Sequence, residues 1–386
     1  MSHLIPFNRI FKDEAEQDAA CRVINGDTWH GDGPVSKRVE AQLAEWLESK
    51  YVYLTTSCTH ALEMAMMALD IEQGDEVILP GFTFVSTANA IRMQGAIPVF
   101  AEIRSQDLTI DPLDVEKKIS SATRAIIPIH YAGVSADMKS LQDLADRHQT
   151  EHQNIAIVED AAQAVGAWSD SRALGTIGDI GCFSFHDTKN FTCGEGGAFL
   201  TQNGDIARKA EWIREKGTNR SAFLRGEIDK YTWVSKGSSY IPSDILAGVL
   251  EVQLQKREMI LERRKKVWFD YHNRLLEAKE YGWIDLPAIP SHAQSNYHIF
   301  YFHVKDPEDR GPLLQSLRSE GIEATFHYVP LHNAPYARKV IDTPLSLPRT
   351  EYLANTLIRL PIYPDLAKES EQVADRVYKV LVDYHC

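Results

Sequence analysis

The 386-residue sequence predicts an α/β protein, a large, mixed and mostly parallel sheet domain followed by a smaller C-terminal α+β domain. Three observations carry that expectation. Short apolar runs alternate with amphipathic helical stretches, one helical pattern runs unusually long, and a second series of strands and helices follows Tyr281-Gly282. The runs over residues 76–79, 97–100, 125–129 and 155–158 read as strands, because continuous apolar character suits a parallel sheet covered on both faces. Residues 137–148 read as a crossover helix, and 60–69 as a helix after Thr56-Ser-Cys-Thr59. From Ser243 a helical pattern passes through Leu246, Val249, Leu250, Val252 and Leu254 and continues past a charged run toward Leu276, a length suited to bridging domains. The smaller domain is read from a strand over 298–304, a helix over 311–319, a strand over 323–329 and a terminal helix over 370–384. The boundary falls within 250–285 and is placed to give domains 1–255 and 256–386.

The stretch Ser184-Phe-His-Asp-Thr-Lys189-Asn-Phe-Thr-Cys-Gly-Glu-Gly-Gly197 sets a lysine between an apolar strand and a glycine-rich turn, 29 residues after Asp160. A lysine walled by apolar groups loses hydration, which disfavours its charged form and makes its amine a better nucleophile toward an aldehyde. The glycines after it let a flat ligand approach the backbone. Upstream, Ile155-Ala-Ile-Val158 delivers Asp160 and Gln163 at the carboxyl end of a buried strand, where ligands sit in open α/β sheets. That is the layout of a pyridoxal phosphate (PLP) site. Lys189 would bond to the cofactor aldehyde and then shuttle a proton between the amino donor's Cα and the cofactor's C4′. Asp160 would pair with the pyridine nitrogen and hold it protonated, with a helix N-cap as the alternative reading. Gln163, three residues on, would reach the ring hydroxyl. Thr56-Ser-Cys-Thr59 precedes a helix and could cradle a phosphate, although capping alone would explain Ser57 or Thr59.

These motifs resemble the sugar aminotransferases of the DegT/DnrJ/EryC1/StrS family, which have the aspartate aminotransferase-like fold (PLP fold type I). Matching blocks are Gly31-Asp-Gly33, Thr56 to Thr59, Pro80-Gly-Phe-Thr-Phe84, His130-Tyr-Ala-Gly133, Glu159-Asp-Ala-Ala-Gln163, Ser184 to Lys189 and His327-Tyr-Val-Pro-Leu-His332, which together span nearly the whole chain. The stretch from Arg214 to Arg225, with Asp229-Lys-Tyr-Thr-Trp233, resembles more narrowly the dTDP-4-amino-4,6-dideoxygalactose transaminases. The resemblance implies that Ser57, Cys58, Thr59 and Ser184 hold the cofactor phosphate and that Phe84 stacks on its ring, with core packing as the alternative for Phe84. Cys58 stands where the family usually has glycine. Ser239 stands where the family has an asparagine that enters the neighbouring subunit's site, so a homodimer with shared active sites is implied. Arg220, in the donor-rich run Gly217-Thr-Asn-Arg-Ser221, is read as a substrate residue with a solvated surface as the alternative, and His327 and Tyr328 are read as substrate-side residues, with a packing role as the alternative for His327 and His332. The expected reaction passes the amino group of L-glutamate through pyridoxamine phosphate to a dTDP-4-keto-6-deoxyhexose.

Two rivals belong to other classes. Related sugar dehydratases carry histidine at the lysine position, which Lys189 argues against. PLP-binding regulators usually add a DNA-binding domain, and a net charge of −13 lacks the basic face of a nucleic-acid binder. The composition, 44% hydrophobic and 25% charged, suits a folded enzyme with sizeable cores. No apolar run reaches signal-peptide or membrane-span length, so a cytoplasmic protein is expected, without membrane or nucleic-acid partners. Five cysteines (Cys21, Cys58, Cys182, Cys193, Cys386) at unrelated spacings read as free thiols. Residues 208–236 hold eight Lys/Arg against four acids, a local excess that would draw an anionic substrate if it is not a solvated face. Gly175-Thr-Ile-Gly178-Asp-Ile-Gly181 lacks dinucleotide-binding spacing and leads into a strand, and no metal-ligand set accompanies His327 and His332.

Overall fold

The computed structural model describes residues 4–149, 154–340 and 345–385. Among the described residues thirteen strands form three sheets: β1 (Tyr51–Thr55), β2 (Glu76–Pro80), β3 (Ile97–Ala101), β4 (Thr123–Ile126), β5 (Ala156–Asp160), β6 (Trp168–Ser169), β7 (Arg172–Ala173), β8 (Ile180–Ser184), β9 (Gly197–Thr201), β10 (Ile284–Asp285), β11 (Ala293–Gln294), β12 (Phe300–Val304) and β13 (Leu357–Leu360). The main sheet has seven strands in the order β1-β9-β8-β5-β4-β2-β3. Only β9 runs antiparallel to its neighbours, so the sheet is mixed and mostly parallel, as expected.

Strands β5, β8 and β9 are buried at every position, which explains their unbroken apolar character. Alternation along each strand sends Val158 and Cys182 into one core, with Leu62, Met66 and Phe199, while Phe183 enters the core on the opposite face with Leu250 and Leu254. Register then decides where the site forms. Ser184 pairs with Gly197, and Gly197 pairs with Thr55, so the carboxyl ends of β8 and β1 meet the start of β9 at one edge. Gly197 must be glycine: a Cβ there would lie 2.4 Å from the Ser57 carbonyl carbon and 2.5 Å from the Cys58 nitrogen.

A second core assembles on the antiparallel sheet β10-β12-β13. The helices Arg257–Glu280, Arg310–Ser319 and Ser370–His385 cover it, supplying Val267, Tyr271, Leu313, Leu317, Val373 and Val377. Ile5 from the N-terminal segment joins this core and exchanges backbone bonds with Gly321 and Glu323, at 2.8 and 3.0 Å.

The structure corrects three sequence expectations. The long helix is two helices, Asp244–Gln255 and Arg257–Glu280, because Lys256 leaves helical geometry (φ −88°, ψ 5°) while its ammonium binds Asp13 at 2.7 Å and Glu16 at 2.8 Å. Residues 323–329 are no strand. Only Thr325 exchanges backbone bonds with Arg359, and the chain beyond leaves the sheet toward Pro330, which has no N–H to give a ladder. Strand β4 ends at Ile126, and beyond Pro128 only Ile129 bridges Asp160. Among the described residues no helix is long and apolar enough to cross a membrane. Cys21, Cys58, Cys182 and Cys193 are free thiols, whereas Cys386 lies outside the described residues.

Candidate active site

At the carboxyl edge of the main sheet lies a cavity of about 990 Å³, walled on its far side by residues of the smaller layer. Lys189, Asp160, Gln163, Ser184, Ser57, Cys58, Thr59, Phe84, His327 and Tyr328 all line it. The sequence expectation for these residues therefore converges on one place.

The loop after β8 hangs the lysine over the cavity. Phe185 and Phe191 are buried beneath it, and Phe185 closes the loop by backbone bonds with Gly196 (2.8 Å) and Cys193 (3.1 Å). Asn190 pins the loop to the opposite wall, donating to the Asn296 carbonyl at 2.8 Å and accepting from His298 Nδ1 at 2.9 Å. Lys189 itself makes no ion pair among the described residues. Burial pulls its amine below the usual lysine range, against the raising influence of Cys58 and Asp160.

Asp160 ends β5 as a buried carboxylate. Burial pushes its pKa above the usual range, opposed by Thr87, which donates to Oδ2 at 2.8 Å, and by the Ala162 N–H, 3.2 Å from Oδ1. Its neighbour Glu159 points the other way and accepts from the amides of Gly175 (2.8 Å), Ile177 and Gly178 (both 2.6 Å), while His130 Nε2 donates at 2.8 Å. That knot is the structural purpose of the glycine-rich run set aside on spacing. It also orients the end of β5.

The residues expected to face the phosphate are fixed by local bonds. Ser57 caps the helix Cys58–Ala68 by accepting from the His60 amide at 3.1 Å, so the capping reading holds for Ser57, which also faces the cavity. Thr59 shares a hydrogen bond with Ser86 at 2.8 Å, and Ser184 Oγ lies 3.4 Å from the His186 amide. Gln163 accepts from the Ala132 amide at 2.7 Å and donates to the Tyr328 hydroxyl at 2.9 Å, which leaves one amide hydrogen and one lone pair for a ligand. Phe84 presents its ring to the cavity while 57% exposed, an arrangement suited to stacking on a flat ligand.

Two buried arginines escaped the sequence reading. Arg359 is 8% exposed and Arg264 is 2% exposed, both line the cavity, and neither makes an ion pair among the described residues. Arg264 donates to the carbonyls of Tyr297 (3.2 Å) and His298 (2.6 Å), and burial together with the nearby Arg359 charge lowers its pKa to about 9. Arg359 donates to His327 Nε2, and its own Nε has no partner. His327 stacks on Tyr328 with centroids 4.1 Å apart, and burial, then Arg359, keeps it uncharged.

Arg220 and Ser239 do not line the cavity of their own chain. Arg220 begins a short exposed helix (Arg220–Leu224), and Ser239 bridges Glu215. The expected basic excess is thinned by internal pairing. Arg214 is fully buried against Glu40 (2.6 Å) and Asp32, and Arg225 is held by Glu211 and Glu227, each at 2.7 Å. Arg214 is therefore a structural charge. His332 packs away from the cavity on Glu351 at 3.0 Å, and no group of three or more candidate metal ligands exists among the described residues.

This fold and site define an aminotransferase of PLP fold type I. The chain belongs to the DegT/DnrJ/EryC1/StrS aminotransferase family, whose sequence model matches residues 11–378. It is similar to DesV of S. venezuelae (32% identity, 98% of each chain, TM-score 0.87). It is also similar to PseC of Helicobacter pylori, an aminotransferase involved in pseudoaminic acid biosynthesis (25% identity, 99% of this chain and 100% of that one, TM-score 0.88). Spr1654 of Streptococcus pneumoniae in its PMP form shares 25% identity over 98% of this chain and 99% of its own, with a TM-score of 0.90. The enzyme is a PLP-dependent sugar aminotransferase. The donor set fits that cofactor: a partly buried amine without an ion pair among the described residues, a doubly hydrogen-bonded carboxylate in the same cavity, and backbone at Gly197 and Ser57 too close to admit a side chain.

Proposed function

We propose that this enzyme transfers the amino group of L-glutamate to the 4-keto carbon of a dTDP-linked 6-deoxyhexose, giving dTDP-4-amino-4,6-dideoxygalactose and 2-oxoglutarate. The observation that carries the donor half is the pair of buried guanidinium groups of Arg359 and Arg264, neither with a carboxylate partner among the described residues, in the same cavity as Lys189. A carboxylate is the anion such a pair accepts with least loss, because planar forks match planar carboxylates. The acceptor half rests on the cavity's size and on the stretch from Arg214 to Trp233.

In this reading the cofactor supplies an electron sink and a carrier for the amino group. Lys189 holds the cofactor and moves the proton at the donor's Cα. Asp160 faces the pyridine nitrogen, Phe84 covers the ring, Gln163 meets its hydroxyl, and Ser57, Cys58, Thr59 and Ser184 take the phosphate. His327, uncharged and stacked on Tyr328, holds Arg359 in place. The test is product analysis: a panel of nucleotide keto-sugars is incubated with glutamate, and 2-oxoglutarate is assayed while NMR locates the new nitrogen. Nitrogen at C4 with axial geometry is expected. The gluco epimer or a C3 amine would replace the sugar assignment, and no 2-oxoglutarate with any sugar would overturn the reading.

We also propose a homodimer in which Ser239 and Arg220 enter the partner's cavity, with the chain divided near residues 255 and 256. Exposed Phe223, Leu224, Tyr231 and Trp233 support this, since an apolar surface around those residues calls for a protein partner. Mixing Lys189→Ala protein with Arg220→Ala protein is expected to restore up to about a quarter of wild-type activity by random subunit exchange. A fully active monomer in light scattering would refute shared sites.

A further inference from the structure

The helix Val85–Met93 starts beside the cavity and has no side-chain cap on its first turn. That turn instead sends its side chains to three separate parts of the site. Phe84, its N-cap residue, sends its ring into the cavity. Ser86 shares a hydrogen bond with Thr59, the phosphate-side threonine, at 2.8 Å. Thr87 reaches Asp160 Oδ2 at 2.8 Å and is itself bonded to Thr83 at 3.1 Å.

The direction of this chain follows from donor counting. An ionised carboxylate only accepts, so Thr87 must give its single hydroxyl proton to Asp160. Having spent it, Thr87 can only accept from Thr83. The order is Thr83 to Thr87 to Asp160, and both threonines are buried, at 1% and 0% exposure. Both hydroxyls are thereby sheltered from bulk water. A buried carboxylate with one donor removed bears the cost of an unsatisfied lone pair, so Asp160 depends on Thr87 more than an exposed aspartate would.

Spacing makes one turn sufficient. Phe84 is the extended N-cap residue, and within the helix position 86 projects about 100° from position 87, toward the helix that starts at Cys58. We propose that this turn is a positioning element for the cofactor, in which Thr87, backed by Thr83, aims the Asp160 carboxylate and Ser86 fixes Thr59. Neither Ser86 nor Thr87 needs to take part in the reaction. The proposal rests on the placement of the pyridine nitrogen at Asp160 and the phosphate at Thr59 given above.

The test is cofactor binding by the purified protein, read as a dissociation constant from absorbance titration and independent of turnover. Thr87→Val keeps the shape and deletes the donor. It is expected to raise that constant about tenfold or more, whereas Thr87→Ser, which keeps the hydroxyl, stays within about threefold of wild type. The pH midpoint of the bound cofactor's absorbance should move in Thr87→Val and not in Thr87→Ser. In an Asp160→Asn background, Thr87→Val should add less than about twofold, because the two residues act as one unit. Ser86→Ala should weaken binding independently of Thr87→Val. Wild-type binding by Thr87→Val, or full additivity with Asp160→Asn, would overturn the proposal. Should Thr87→Val fail to fold, Thr83→Val decides: a loss of about threefold supports the chain, and no change overturns it. Normal cofactor binding by Asp160→Asn alone would instead remove the nitrogen assignment, and the proposal with it.

Discussion

Lys189→Ala is expected to abolish turnover and to shift the bound cofactor's absorbance from that of the lysine-attached form to that of the free aldehyde, because the variant still holds the cofactor noncovalently. The amine has two tasks in the proposed reaction, covalent attachment and proton transfer at the donor's Cα, and two of the other bases that line the cavity are poorly placed to replace it. Glu195 lines the cavity but is 67% exposed at its side chain, and His298 is kept uncharged by burial with Nδ1 committed to Asn190. Proton transfer alone is worth about 10²–10⁴-fold, so a loss beyond about 10³-fold is expected once attachment is also lost. The fold should not suffer. Lys189 makes no ion pair, and alanine enlarges a cavity that is already open, so the melting temperature should change little. Absorbance spectra and single-turnover rates check the prediction, and wild-type turnover by the variant would sink the lysine's role.

What the sequence disclosed was local. The lysine loop, Glu159-Asp160 and Gln163 were legible because strand, turn and functional side chain lie within a few residues of one another, and the apolar runs of β5 and β8 carry them to one sheet edge. The pairing of Ser184 with Gly197 and of Gly197 with Thr55 could not be read, yet it is what brings Ser57 beside Lys189. Arg214 and Arg359 show the limit most plainly. In sequence, Arg214 sits in a basic stretch and looks like a solvated or substrate-facing charge; in the fold it is buried against Asp32 and Glu40. Arg359 interrupts an apolar strand, Leu357-Ile-Arg-Leu360, where period-2 alternation would place it toward solvent. Instead, the segment around His327 covers it. Whether a charge is paired is a property of tertiary contacts, and no local pattern reports it. The same holds for Thr83 and Thr87, one just before a helix and one in its first turn, whose hydroxyls reach Asp160 only through tertiary contact, and for residues 323–329, which suggest a strand that the cavity wall takes over.

The second large effect is expected at Arg359. Its guanidinium is buried, lies 4.8 Å above the Phe7 ring, contacts uncharged His327 and faces no carboxylate among the described residues. The cost of that burial is recovered only when an anion arrives. Arg359→Leu removes the charge and fills much of its volume. Loss of one charge-assisted contact, about 1.5–3 kcal/mol, corresponds to roughly 10- to 100-fold weaker capture of glutamate. The acceptor sugar has no charge at its reacting end, so amination by enzyme preloaded with pyridoxamine phosphate should proceed near the wild-type rate. Rapid-mixing absorbance of the two half-reactions separates the cases: a raised half-saturation for glutamate with an unchanged sugar half-reaction is expected. Stability should move the other way, or not at all, because an unpaired buried cation is replaced by an apolar side chain. A variant that melts earlier and slows both half-reactions equally would make Arg359 a structural residue and remove the donor carboxylate from this corner of the cavity.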